Sequence, residues 1–187
     1  WGMAPITRVS ANEPWLVTRT LDRGSMGIVV PHVNTREAAE KAAQSAKYAP
    51  LGYRGMFGGR QSYGVGDYFK QANDQTMVIV LLEEDEALNN LDEILTVDDI
   101  DVFFVAPTDL AQTMGHLGNP GHPEVQRAIE GAITKILSAG RVAGTLVNDE
   151  NVARFLGQGV RYTMTSWNAW VTQGAAAFLE KVAGAKI

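Results

Sequence analysis

The sequence predicts an α/β fold with a parallel sheet, in the repeat of a (β/α)8 TIM barrel from which two strands are missing. Three observations carry this expectation. Six short apolar runs recur along the chain, helical patterns separate them, and two of the runs stop close to a carboxylate, Glu83 and Asp109.

Ile6 to Val9 is the first run. Trp15 to Leu21 follows with helical character, and Gly24 is its C-terminal stop. Met26 to Val30 is the second run. Asn34 to Tyr48 reads as a helix, because Asn34 and Glu37 have capping-box spacing and Ala38, Ala39, Ala42, Ala43 and Ala46 form a thin apolar stripe. Met77 to Leu82 and Val102 to Val105 are β-branched and aromatic runs bounded by turn signals, the pattern of fully buried strands. Asp85 to Leu95 reads as the helix between them. Pro123 to Ala139 carries Val125, Ile129, Ile133 and Ile136 at helical spacing and then meets Gly140. Val142 to Val147 and Tyr162 to Thr165 are the last runs, with a short helix from Asn151 to Leu156 between them, ended by Gly157 or Gly159. Asn168 to Val182 is the closing helix. A doubly wound sheet is the alternative architecture, but it announces itself with a glycine-rich turn after its first strand. Gly55-Met56-Phe57-Gly58-Gly59 lies instead in a long irregular connection and reads as a loop.

With 187 residues, 45% of them hydrophobic, the chain has material for one domain with a real core, and residues 1–187 read as a single barrel-like domain. The opening Trp1-Gly2-Met3-Ala4-Pro5 reads as the interior of a longer protein, N-terminally incomplete. The net charge is −5, and no basic cluster with interleaved aromatics occurs, which argues against a nucleic-acid partner. No apolar run has membrane-spanning length and no signal-peptide pattern occurs, so no membrane partner is expected. The absence of cysteine excludes disulfides, thiolate metal sites and a cysteine nucleophile, and fits a cytoplasmic protein.

Strand, helix, strand places Glu83 and Asp109 at the carboxyl edge of the sheet, where α/β folds keep their chemistry. Two hard oxygen ligands there suit a divalent cation with positions open for substrate. The simpler account of either acid alone is an N-cap of the next helix. His32 follows a strand end and reads as packed or hydrogen-bonded. His116 and His122 lie in a Gly/Pro-rich loop and call for no catalytic explanation.

The order of these segments resembles the class II pyruvate aldolases of the HpcH/HpaI family. The resemblance rests on Pro31-His32-Val33-Asn34, on Lys47-Tyr48-Ala49-Pro50-Leu51-Gly52-Tyr53-Arg54-Gly55, on Gln71-Ala72-Asn73-Asp74-Gln75 and on Pro107-Thr108-Asp109-Leu110. Met114-Gly115-His116-Leu117-Gly118-Asn119-Pro120-Gly121-His122-Pro123-Glu124-Val125 is its most specific string. The resemblance implies a (β/α)8 barrel whose first two strands are missing from this chain. It implies a reversible aldol cleavage of 4-hydroxy-2-oxo acids, such as 4-hydroxy-2-oxoheptanedioate, to pyruvate and an aldehyde, with Mg2+, Mn2+ or Co2+ as cofactor. On that resemblance Glu83 and Asp109 bind the metal, Arg8 orients pyruvate, main-chain amides from Ala106 to Asp109 hold the substrate carboxylate, and Thr108 and Leu146 shape the pocket. A homo-hexamer is implied, with the terminal helix packed on a neighbouring subunit and Asp22 contributing to an adjacent site.

The chain departs from the family pattern in three places. Leu81 stands where a glutamine is frequent, Asn168 stands where an acid is frequent, and the stretch with the acid–histidine motif that assists proton transfer is not present. Other readings therefore stand beside the aldolase: an acyl-CoA ester lyase, an oxaloacetate decarboxylase, or an inactive fragment of the barrel. A CoA lyase needs a basic surface for nucleotide phosphates, and no such cluster is visible.

Overall fold

In the computed structural model, which describes residues 2–185, the six apolar runs are six parallel strands. They are β1 (Ile6–Arg8), β2 (Gly27–Val30), β3 (Met77–Leu82), β4 (Val102–Val105), β5 (Ala143–Leu146) and β6 (Tyr162–Met164). Their order in the sheet is their order in the chain. That order rejects the doubly wound alternative, whose strand order reverses at a switch point. It is the order of a barrel, and the six strands form an open arc of one.

The connections hold the helices: α1 (Pro14–Asp22), α2 (Arg36–Ala46), α3 (Tyr68–Gln75), α4 (Asp85–Asn89), α5 (Leu91–Ile94), α6 (Pro107–Thr113), α7 (Pro123–Ser138), α8 (Val152–Gln158) and α9 (Asn168–Gly184). None is long and apolar enough to cross a membrane. Side chains alternate along a strand, so each strand builds two surfaces. On β3, Val78, Val80 and Leu82 join the larger core under the helices, while Ile79 and Leu81 join a smaller cluster on the opposite face. Ile28, Val30, Phe103, Val105 and Ala143 extend the first surface, against Val17 and Leu21 of α1, the alanines of α2, and Val125, Ile129, Ile133 and Ile136 of α7. Val102, Phe104, Val29 and Leu146 extend the second, the concave interior of the arc.

Several elements differ from the sequence expectation. Thr35, not Asn34, caps α2, accepting the Ala38 N–H at 3.2 Å. The expected helix from Asp85 to Leu95 is two short helices, because Asn90 leaves helical geometry and donates its side-chain amide to the Asn34 carbonyl at 2.8 Å. Helix α3 was not legible, since Ala72 is its single buried residue and no apolar stripe marks it. Helix α6 begins within the stretch read as a turn, with Pro107 in its first turn. Gly159, at φ 106°, ends α8. Helix α9 has the expected apolar residues but buries none of them: Trp170, Phe178 and Leu179 are each more than half exposed.

Two stretches far apart in sequence meet at the amino edge of the sheet. The Asn73 side chain receives the Tyr48 N–H at 2.7 Å and donates to the Tyr48 carbonyl at 3.0 Å. The buried Lys47 ammonium donates to the carbonyls of Asn73 and Thr76 at the C-terminal end of α3, where a cation meets the negative end of the helix dipole.

Gly27 is a tight point of the sheet. It stands between Ile6 and Met77 in register, and a Cβ there would lie 2.7 Å from the Met77 carbonyl oxygen and 2.9 Å from Ile6 Cδ1. Gly27→Ala is expected to lower stability by about 1–3 kcal/mol through overpacking, read as a lower midpoint in urea unfolding.

Candidate active site

The interior face of the arc opens at its carboxyl edge into a cavity of about 450 Å³. Its floor is the smaller apolar cluster, chiefly Ile79, Leu81, Phe104 and Tyr162. Its polar wall carries Arg8, Glu83, Thr108 and Asp109, with Ala106 and Leu146 beside them. Arg8 ends β1, Glu83 follows β3, Asp109 lies in the first turn of α6 after β4, and Leu146 ends β5. Four strand ends thus bring together the residues that the sequence singled out.

Glu83 continues the inward alternation of Ile79 and Leu81, which aims it into the interior. It is 1% exposed. One carboxylate oxygen accepts the His32 N–H at 2.8 Å, and the His32 Nδ1 lies 3.3 Å from the same oxygen. His32 has φ 55°, in the left-handed region that a residue with a side chain enters at a cost. That geometry turns its amide toward Glu83 while its ring, largely exposed, faces Glu84 at 2.8 Å. Burial raises the Glu83 pKa above the ordinary carboxylate value; the His32 amide and ring oppose this, the Asp109 charge adds to it, and the Arg8 charge opposes it. Neither acid is a helix cap. Glu84 stands at the cap position of α4 and makes no capping bond, and Ala106 stands at that of α6.

Arg8 takes part in none of the ion pairs among the described residues, so the surface ion pair that would explain it structurally is not present. The expectation for the amides from Ala106 to Asp109 needs correction. The Ala106 N–H is bonded to the Leu82 carbonyl at 3.1 Å in the sheet ladder, and Pro107 has no N–H. The amides left for a ligand are those of Thr108 and Asp109, in the first turn of α6, where N–H groups have no intrahelical partner.

Asp22, expected to contribute to an adjacent site, lies away from this cavity. Helix α1 runs from the carboxyl edge of β1 to the amino edge of β2, so its last residue lies at the edge opposite this cavity. There Asp22 accepts from Arg54 Nη2 at 2.8 Å. The Arg54 side chain is 1% exposed and its guanidinium sits 4.7 Å above the Tyr48 ring; among the described residues its Nε and Nη1 meet no hydrogen-bond partner. Burial pushes the Tyr48 phenol up to about 12, against the pull of the Arg54 charge. No histidine lines the cavity. The His32 amide was not foreseen as a Glu83 partner; no local pattern marks a backbone N–H that acts through a left-handed turn.

A family model, HpcH/HpaI aldolase/citrate lyase, matches residues 1–168. The chain belongs to the HpcH/HpaI aldolase/citrate lyase family. Among HpcH/HpaI relatives, a 4-hydroxy-2-oxo-heptane-1,7-dioate aldolase of Klebsiella pneumoniae subsp. pneumoniae is 43% identical over 154 residues, covering 80% of this chain and 58% of the relative. A hydroxypyruvate/pyruvate aldolase of Cupriavidus necator is 40% identical over 177 residues, 92% of this chain and 66% of that protein. The crystal structure of an HpcH/HpaI family protein from Burkholderia cenocepacia J2315 superposes with a TM-score of 0.88 at 32% identity, over 96% of this chain and 74% of that one. The chain therefore spans 58% of the length of the first relative and covers members of the family only in part.

The Arg54–Asp22 pair gives a stability test. Asp22→Ala leaves a buried guanidinium without its counter-charge, and a loss of about 3–5 kcal/mol is expected. Thermal unfolding followed by circular dichroism reads it.

Proposed function

We propose that the protein carrying this chain is a divalent-metal-dependent pyruvate aldolase, which reversibly cleaves a 4-hydroxy-2-oxo acid to pyruvate and an aldehyde. The observation that carries this reading is the convergence of Glu83, Asp109 and Arg8 on one cavity with an apolar floor. The names of the relatives supply the reaction class: a heptanedioate aldolase, a hydroxypyruvate/pyruvate aldolase and a 5-keto-4-deoxy-D-glucarate aldolase.

The donor set fits a metal. Glu83 is buried within the field of a second carboxylate, and two acids so placed gain from a shared cation. Both are hard oxygen ligands, which suit Mg2+, Mn2+ or Co2+. Glu83 and Asp109 would hold such an ion, which would supply Lewis acidity toward the oxygens of a 2-oxo acid. The His32 N–H fixes the Glu83 carboxylate in its ligating orientation. Arg8 offers a planar fork of donors to the pyruvate end of the substrate. The amides of Thr108 and Asp109 are donors for the substrate carboxylate, at the positive end of α6. Leu146 and the apolar floor exclude water from the reacting carbons. The same arrangement suits oxaloacetate, also a 2-oxo acid, as a substrate for decarboxylation.

A homo-oligomer, and a hexamer by family resemblance, belongs to this reading. It is supported by α9, whose large apolar side chains are each more than half exposed among the described residues. In such an assembly Asp22, remote from its own cavity, would serve an adjacent one. Small-molecule 2-oxo acids and aldehydes are the partners, and the cytoplasm is the proposed compartment, in keeping with a cysteine-free chain.

The test is pyruvate release from a panel of 4-hydroxy-2-oxo acids, with oxaloacetate as a separate arm, in the whole protein that carries this chain. Glu83→Gln and Asp109→Asn are each expected to reduce metal-dependent turnover to background while the circular dichroism spectrum is kept. Metal-dependent turnover retained in either variant refutes the assignment. Arg8→Lys is expected to lower kcat/KM about 10- to 100-fold, equivalent to the roughly 1.5–3 kcal/mol that a charged hydrogen bond contributes. Unchanged kinetics would remove Arg8 from the site. Truncation after Asn168 is expected to reduce the mass seen by light scattering; an unchanged mass and stability would exclude α9 from the interface.

A further inference from the structure

We propose that His116, His122 and Glu124 form a second metal site, for a borderline transition-metal dication such as Zn2+, on the connection between α6 and α7. One ligand atom from each lies within 4.8 Å of the others. His116 Nε2 is 3.0 Å from Glu124 Oε2. With metal–nitrogen and metal–oxygen bonds of about 2.1 Å, neighbouring ligand atoms of a tetrahedral site stand roughly 3.4 Å apart. The His116–Glu124 spacing is already close to that, and the proton between these two atoms is the one that a cation displaces.

The backbone of the loop is held in place before any ion binds. The His116 N–H is bonded to the Ala111 carbonyl at 2.7 Å, which ties the loop back onto α6. Asn119 N–H donates to the His116 carbonyl and His122 N–H to the Asn119 carbonyl, at 2.9 and 3.1 Å. Gly115 and Gly118, at φ 84° and 74°, make the reversals that bring His116 beside the start of α7. His122 caps that helix, its Nδ1 accepting the Glu124 N–H at 3.3 Å. Because Nδ1 accepts there, the neutral His122 ring carries its proton on Nε2, so ligation either turns the Nδ1 lone pair from the cap to the ion or moves the proton to Nδ1 and frees Nε2. The two imidazoles stack at 3.6 Å with a 16° tilt. Stacked rings aim their lone pairs nearly in parallel, so binding turns one ring to converge with the other.

The chemistry separates this site from the Glu83–Asp109 pair. Two imidazoles and one carboxylate prefer Zn2+, Ni2+, Co2+ or Cu2+, whereas an all-carboxylate pair suits Mg2+ or Mn2+. Three protein ligands leave a fourth tetrahedral position for water. An ion here joins the C-terminal end of α6, the helix that carries Asp109, to the start of α7.

The experiment titrates Zn2+ alone, by calorimetry and by thermal unfolding, into the Glu83→Gln/Asp109→Asn double variant, which lacks the acid pair. One equivalent is expected to bind and to raise the unfolding temperature, as a ligand selective for the folded state does. Adding His116→Gln, or His122→Asn, which keeps an oxygen acceptor at the helix cap, is expected to abolish both effects. Zn2+ binding that survives these substitutions, or its absence in the double variant, overturns the proposal. A folded His122→Asn protein, judged by its cooperative unfolding, makes loss of binding a statement about ligation and not about folding.

Discussion

The period-two alternation of β3 is the constraint on which the rest of the molecule depends. Val78, Val80 and Leu82 must face the helices, because that surface is the larger core. Ile79, Leu81 and the following Glu83 then face the interior with no further choice. A slip of one residue would turn the carboxylate into the helical layer and the valines into the cavity. The hydrophobic burial that fixes the register of the sheet therefore also delivers a charge to the one surface where it has use.

That delivery creates an electrostatic demand. A carboxylate at 1% exposure loses most of its hydration. The structure answers with one hydrogen bond from the His32 amide, obtained through a left-handed backbone that a histidine adopts at a cost. It then adds the charges of a second acid, Asp109, and of an arginine, Arg8. Like charges held together in a cleft are an expensive way to build a core, and such a grouping marks a candidate functional site.

The opposite edge of the sheet solves a different problem. Arg54 is buried with one carboxylate partner, Asp22, and an aromatic face, Tyr48. A neighbouring bond set, from Lys47 and Asn73, locks the turn after α2 to the end of α3. These contacts account for two of the sequence stretches that carried the family resemblance. They act on architecture, because none of these residues reaches the cavity.

Local sequence determined the six strands and most of the helices, because periodicity and chain direction are properties of neighbouring residues; which face of β3 carries Glu83 was decided by the packing of the helical layer on the sheet. It also determined that Arg8, Glu83, Asp109 and Leu146 end strands or follow them at one edge. The tertiary structure alone decided what depends on residues distant in the chain. The His32 amide meets Glu83 across 51 positions, and Asn90 breaks a helix to reach Asn34 across 56. The Ala106 amide is engaged by the sheet, Asp22 stands at the far edge, and α3 forms without an apolar stripe. His116 and His122 stack where Gly115, before the first of them, and Gly118, between the two, reverse the loop. A pattern of residue types carries no record of such meetings; they follow from the packing of whole elements, which is settled only when the sheet and its helical layer close on each other.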